Sequence, residues 1–201
     1  YEYRDEWLNL IGKIETTNAE SYYQMATQIM MSKVDAYAGA ILKKVTGQRF
    51  SVQYSEKLLL DDIFNQQLVE CSLFCQRQGW IIDVEEYRKT PTVYPGLSLD
   101  LSLFDTKSIR IIVPIFIGKA FYGMFILAGK NQVKQLNWED RDLLFAISKQ
   151  LGNFVSLHEA NDKLAESKQF DAFNRMSAFL VHDLKNVQAQ LALITSNAEK
   201  H

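Results

Sequence analysis

Cysteine is scarce in this chain: its 201 residues hold two, Cys71 and Cys75. Two cysteines make no disulfide framework, so a reducing, cytosolic setting is expected. Net charge is nearly absent too. Basic and acidic residues leave −2 overall, which gives no electrostatic case for a nucleic-acid partner. Uninterrupted apolar runs of membrane length are missing as well. The nearest is 109–129, and Arg110, Pro114, Gly118 and Lys119 break it. Ile117-Gly-Lys-Ala120 reads as a turn between two buried strands, so this stretch predicts a hairpin rather than a membrane helix. There is no signal peptide, and the chain opens on Tyr1 instead of Met. It closes inside a helical pattern. Both ends are therefore expected to be cuts in a longer protein.

What is present is ordinary globular material, 47% apolar and 23% charged, enough for one good core plus a helical extension. Residues 4–14 carry apolar positions at 7, 8, 11 and 14, which predicts a short leading helix. Thr17 or Asn18 can cap a second helix running to about Lys33, with Tyr22, Met25, Ala26, Ile29 and Met30 as its apolar face. Such a Met-rich stripe is core material before it is a ligand pocket. Residues 36–42 and 49–55 predict two strands joined by Thr46-Gly47-Gln48. Phe50, Val52 and Tyr54 alternate with polar residues, as on a half-buried antiparallel strand. A third helix over 62–78 stops at Gly79. Cys71 and Cys75 stand on it at i and i+4. A metal or haem-like group is conceivable there, but no His or further Cys accompanies them, and core packing is the better reading.

Residues 80–84 predict a short strand and 85–107 an irregular loop, broken by Pro91, Pro95-Gly96, Ser98, Asp100 and Asp105. A loop this long in a compact domain is unusual, and is the place to expect the lid of a small-molecule site. Ile109–Ile117 and Phe121–Leu127 predict two central strands, with Gly123 marking a close backbone approach or a bulge. Asn137-Trp-Glu-Asp140 caps a long helix that buries Leu143, Leu144, Ile147, Leu151, Phe154 and Val155. The sum is an α+β domain with one antiparallel sheet flanked by helices.

The final helix carries a second pattern. Phe170, Phe173, Ser177, Leu180, Leu184, Val187, Leu191, Ile194 and Ala198 alternate spacings of three and four. That is an a/d seam, which predicts helix pairing in a bundle or coiled coil. Met176 and Phe179 lie off the seam and ask for a further partner helix. With Leu180 at d, His182 falls at f and faces water. Asp183 adjoins it, and Asn186 follows one turn on, on the same face. An exposed imidazole with a neighbouring carboxylate to orient it and take its proton suits a phosphoacceptor. An amide one turn away suits the placing of a water for later dephosphorylation. A solvated histidine on a coiled coil is the plain alternative. Between 158 and 169 the helix is polar, and the seam of Leu144, Ile147, Leu151 and Phe154 does not continue in phase into that of Phe170 and Phe173. A break of register is expected where a helix takes two packings.

His182-Asp-Leu-Lys-Asn186 resembles the H-box of bacterial sensor histidine kinases: His, an acid, two residues, then Thr or Asn. The wider run Val181-His-Asp-Leu-Lys-Asn-Val-Gln-Ala-Gln-Leu191, continuing to Asn197-Ala-Glu-Lys-His201, is similar to one subgroup, the membrane-bound kinase of the PEP-CTERM/exosortase system (PrsK type). Val187 stands where the common H-box has Pro, so the helix is expected to run straight. Upstream, the Val113-Pro-Ile turn into Gly123-Met-Phe-Ile-Leu, and Asn137-Trp-Glu-Asp-Arg-Asp-Leu-Leu, resemble a GAF domain. The resemblance implies a leading helix (1–15), a GAF sensor domain (16–157), a signalling linker (158–169) and the first helix of a dimerisation and phosphotransfer domain (170–201). It implies His182 as phosphoacceptor, Asp183 as general base, Asn186 in phosphatase support, and Lys185 as a solvated charge. It further implies a homodimer, a response regulator partner, an unknown small molecule for the GAF domain, and a location on the cytoplasmic side of an inner-membrane parent. The chain has no cyclic-nucleotide signature, no cysteine in a bilin-attachment context, and no Gly-rich loop or Asn/Asp cluster for Mg-ATP. The kinase activity would belong to the longer protein, with Mg-ATP on its catalytic domain. A GAF ligand-binding or dimerising scaffold without phosphoryl chemistry is the rival.

Overall fold

In the computed structural model, residues 20–129 and 135–198 are described, apart from the side chains of 20, 21, 184, 188 and 191–198. The expected helix over 4–14 and the cap at Thr17 or Asn18 lie outside these residues. The chain divides into two compact units, Tyr1–His158 and Glu159–His201.

In the first unit the element order is α1 (Glu20–Lys33), β1 (Ala38–Lys44), β2 (Phe50–Glu56), α2 (Asp62–Gln78), β3 (Ile82–Asp83), α3 (Val84–Lys89), a 3-10 turn (Pro91–Val93), α4 (Leu101–Thr106), β4 (Ile109–Ile117), β5 (Ala120–Ala128) and the start of α5 (Trp138–Ala198). The sheet runs β2-β1-β5-β4-β3 with every pairing antiparallel. Its central strands are apolar on both sides because both sides are covered. Ile109, Ile112, Met124 and Ile126 face one cluster, with Phe64, Leu68, Cys71, Phe74 and Cys75 of α2 and Phe104 of α4. Ile111, Val113, Ile115, Phe125 and Leu127 face the other, with Tyr22, Ala26 and Met30 of α1 and Leu144, Leu151 and Val155 of α5.

Local chemistry sets the element boundaries. Asp61 caps α2 by accepting from the Phe64 amide, and Gly79 ends it in the left-handed conformation, φ 60°. A reciprocal capping box starts α5: the Asp140 amide donates to Asn137 Oδ1 at 2.8 Å, and the Asn137 amide to Asp140 Oδ2 at 3.1 Å. Gly123 is needed where β5 meets β1, since a Cβ there would lie 1.8 Å from the Leu42 carbonyl oxygen.

Three expectations change. Residues 85–107 are not a loop: α3, the 3-10 turn and α4 occupy most of them. The strand at 80–84 shrinks to Ile82–Asp83, because Asp83 takes its carboxylate to the Glu85 and Glu86 amides and starts a helix at Val84. Phe50 and Tyr54 do not share a face. Ile41 pairs with Tyr54 and Leu42 with Val52, so Gln53 is an extra residue in β2. This bulge sends Phe50 to the α2 side and Tyr54 to the α1 side.

The second unit is helical. Phe170, Phe173, Leu180 and Val187 of the expected seam are exposed, and so are the off-seam Met176 and Phe179. The helix continues through Val187. No described helix is long and apolar enough to cross a membrane.

Candidate functional site: an exposed histidine and a buried clasp

The three residues singled out on the last helix are together. The His182 side chain is 73% exposed and that of Asp183 52%. Asn186 Nδ2 lies 3.3 Å from His182 Nδ1, across one turn. Asp183 Oδ1 lies 3.7 Å from the same nitrogen, outside hydrogen-bond range but within that of an ion pair with a protonated ring. Helical spacing alone makes this possible: i+4 brings the amide over the imidazole, and i+1 leaves the carboxylate at its flank. Nε2 is the ring nitrogen on which neither contact falls. This arrangement can offer a nucleophile to water or to a large reactant. Burial would forbid that.

The space between the sheet and the segment 84–106 is where the sequence expects a small-molecule pocket with a lid. It is filled. Phe64, Phe74, Tyr94 and Phe104 are each fully buried there, with Met124 from the sheet. Phe64 meets Phe104 edge-on at 4.9 Å, and Tyr94 lies between Phe74, Trp80 and Tyr87 at 5.5–6.0 Å. A shallow depression of about 360 Å³ lies elsewhere, lined by Tyr37, Lys57, Leu58, Leu59, Lys107 and Ser108 among others. Its Lys107 is already engaged, donating to the Leu59 carbonyl at 2.8 Å and to Asp61 at 3.2 Å. Those contacts, the Lys107 bond first and the Phe64 amide next, hold the Asp61 carboxyl below its ordinary value.

Sequence reasoning missed a polar clasp at the rim of the filled space. Arg141, in the first turns of α5, donates to the Ile81 carbonyl at 2.8 Å, to the Tyr94 hydroxyl at 3.0 Å, and to Glu86 Oε2. The Tyr94 hydroxyl donates to Glu86 Oε2 at 2.7 Å and accepts from the Asp83 amide at 3.0 Å. Asp83 accepts in turn from the Leu136 amide at 3.3 Å. The Arg141 guanidinium also sits 5.2 Å over the Trp80 ring. Burial, then the bond to Glu86, pushes the Tyr94 phenol up. Arg141 was legible only as the fifth residue of the Asn137-Trp-Glu-Asp-Arg run. Its partners stand about fifty residues away, and no spacing rule reaches them.

Cys71 and Cys75 are fully buried in the α2 side of the core. Burial raises both thiols, which leaves them inert at neutral pH. No group of three or more His, Cys, Asp or Glu capable of holding a metal occurs among the described residues.

No family model matches the chain, and no curated protein matches it. Solved structures do. A domain assigned to a two-component sensor histidine kinase of Sinorhizobium meliloti 1021 matches with TM-score 0.51 at 12% identity, over 75% of this chain and 99% of that one. The GAF/HD-domain protein of Geobacter sulfurreducens matches with TM-score 0.51 at 12% identity, over 72% of this chain and 95% of that one. A bacteriophytochrome of the photosynthetic bacterium R. palustris matches with TM-score 0.58 at 12% identity, over 85% of this chain and 41% of that one. At such identities the likeness is one of fold. The five-stranded antiparallel sheet with its flanking helices and long C-terminal helix is a GAF-like α+β fold.

Proposed function

We propose that this chain is the sensory relay and phosphoacceptor part of a two-component sensor histidine kinase. The observation that carries the reading is the exposed His182, with Asp183 and Asn186 both at its Nδ1, on a helix whose first turns close a GAF-like unit. In this reading two copies pair through the Phe170, Phe173, Leu180 and Val187 seam, whose exposure supports it. His182 Nε2 attacks the γ-phosphorus of Mg-ATP held on a catalytic domain of the longer protein. A P–N bond forms, the bond to the β-phosphate oxygen breaks, and ADP leaves with that electron pair. The proton left on Nδ1 passes to Asp183. The phosphoryl group then moves to an aspartate of a response regulator, and Asn186 supports its removal when the kinase is off. The finer reading, a kinase of the PEP-CTERM/exosortase type anchored in the inner membrane, rests on the run from Val181 to His201.

The rival reading, a dimerising GAF scaffold without phosphoryl chemistry, draws on the same exposed seam. The two part on His182. Full-length protein carrying the nucleotide-binding domain, with His182 intact or changed to Ala, would be incubated with labelled ATP. Acid-labile, base-stable label on the first and none on the second is expected. Equal label on both, or none on either while ATP still binds, returns the chain to the scaffold reading.

A further inference from the structure

Four strand ends meet at one side of the sheet. β1 starts there and β2 ends beside it, with Gly39 against Glu56, while β4 starts and β5 ends, with Ile109 against Ala128. The connections at this end hold all three non-glycine residues with positive φ among those described: Asp35, Lys57 and Ser108, at 53°, 53° and 54°. Residues with a Cβ seldom take that conformation, Lys and Ser less readily than Asp. Such backbone is held in place by its surroundings, and it gathers at ligand sites.

Lys57 and Ser108 both line the depression of about 360 Å³, near the lower end of the roughly 300–1,000 Å³ spanned by small-molecule pockets. Its lining is lopsided in charge: Lys57 and Lys107 bring two cations, and no acid takes part. Lys107 is mostly spent, since two of its three N–H donors go to the Leu59 carbonyl and to Asp61. Lys57 is not. It is exposed, enters no ion pair among the described residues, and holds its ammonium 4.5 Å over the Tyr37 ring. Tyr37 and Leu59 are exposed as well, and with Leu58 they put apolar surface in the same depression as that charge. Here, unlike under α3 and α4, no fully buried ring has to move to admit a molecule.

We propose that this depression binds a small organic monoanion with a planar apolar body, an aryl carboxylate, whose charge pairs with the Lys57 ammonium and whose ring packs on Tyr37, Leu58 and Leu59. The site goes beyond the phosphoacceptor reading and does not depend on it. Because the site is open, binding is modest, and the charge contributes selectivity more than strength.

The test titrates this chain into para-trifluoromethylbenzoate and, separately, into its neutral twin para-trifluoromethylbenzyl alcohol, each followed by fluorine NMR. The benzoate should bind saturably with a Kd of about 1 mM or tighter, and the alcohol about fivefold or more weakly. Lys57→Asn removes the charge with a residue that accepts left-handed backbone. It should weaken the benzoate about fivefold and leave the alcohol unchanged, which shows the site still folded. Tyr37→Ala should weaken both probes. Lys149→Gln, an exposed lysine of α5, should change neither. Equal affinity for the two probes marks a merely apolar patch and overturns the proposal. So does benzoate binding that survives Lys57→Asn or falls equally in Lys149→Gln, and so does an absence of saturation by about 5 mM. No phosphoryl transfer is read in these titrations, so failure here leaves the reading of His182 standing.

Discussion

Replacing Arg141 with methionine keeps most of the side-chain volume and removes the three hydrogen bonds that Arg141 donates to the clasp. The cost follows from what is left behind. The Ile81 carbonyl loses a donor at 2.8 Å and the Tyr94 hydroxyl one at 3.0 Å. Glu86 loses its countercharge, with its side chain 20% exposed and that of Arg141 11%. A buried pair broken from one side costs about 3–5 kcal/mol, and a neutral hydrogen bond about 1 kcal/mol. Glu86 retains the Tyr94 proton and some water, which sets the expected loss near the lower end, at about 3 kcal/mol. Changing Glu86→Gln in the same background removes the orphaned charge while preserving an acceptor for Tyr94. The double variant should therefore be less damaged than the two single losses added, by about 1–2 kcal/mol. Urea unfolding followed by tryptophan fluorescence reads this well, since the guanidinium lies over Trp80. Loss of less than about 1 kcal/mol in Arg141→Met, or additivity within about 0.3 kcal/mol, would refute the clasp as a coupled unit.

Two further outcomes follow from the same geometry. Gly123→Ala must push the Leu42 carbonyl aside or slip β5 against β1, since the new carbon would start 1.8 Å from that oxygen; a loss of about 3 kcal/mol or more is expected in thermal unfolding. The control Gly47→Ala, at φ 79° with open space around it, should cost only about 1 kcal/mol. Burial and Glu86 raise the Tyr94 phenol above its ordinary value of 10.0. The folded state thus holds this proton more tightly than the unfolded one, and the stabilisation is whole below pH 10.0 and is lost as the pH climbs toward the folded value. Tyr94→Phe should flatten that alkaline limb of the urea midpoint against pH; an identical limb in both proteins would exclude Tyr94 as its source.

Local rules read well what local rules govern. The α5 capping box needs only residues three apart, and the β4–β5 hairpin only an apolar pair of runs around Gly118. Both were visible in order. His182, Asp183 and Asn186 are also local, since one helical turn joins all three residues, so their proximity is legible in the spacing. What was hidden depends on contacts far along the chain. Helices α3 and α4 are six residues each, too short to hold by propensity. They persist through Asp83 and Asp100 caps and through Val84 and Phe104 set into the core, while Pro91 and Gly96 made the same stretch look irregular. The bulge at Gln53 is invisible because alternation is counted along one strand, whereas register is a property of two.

The aromatic side chains under α3 and α4 set the cost of admitting a small molecule there. A small molecule seated there would have to displace aromatic side chains that are now fully buried. Exposing one such ring costs about 2–3 kcal/mol, so moving two costs roughly 5 kcal/mol. A ligand would lose some three to four decades of affinity to that opening. Tyr94 is the side chain at which this cost and the clasp meet. Its ring fills the space, and its hydroxyl is shared by Arg141, Glu86 and the Asp83 amide. A state that swings Tyr94 out of the core withdraws that hydroxyl from all three partners, while Arg141 keeps its bonds to the Ile81 carbonyl and to Glu86. Opening the interior and breaking the three hydrogen bonds of the Tyr94 hydroxyl are thus one displacement.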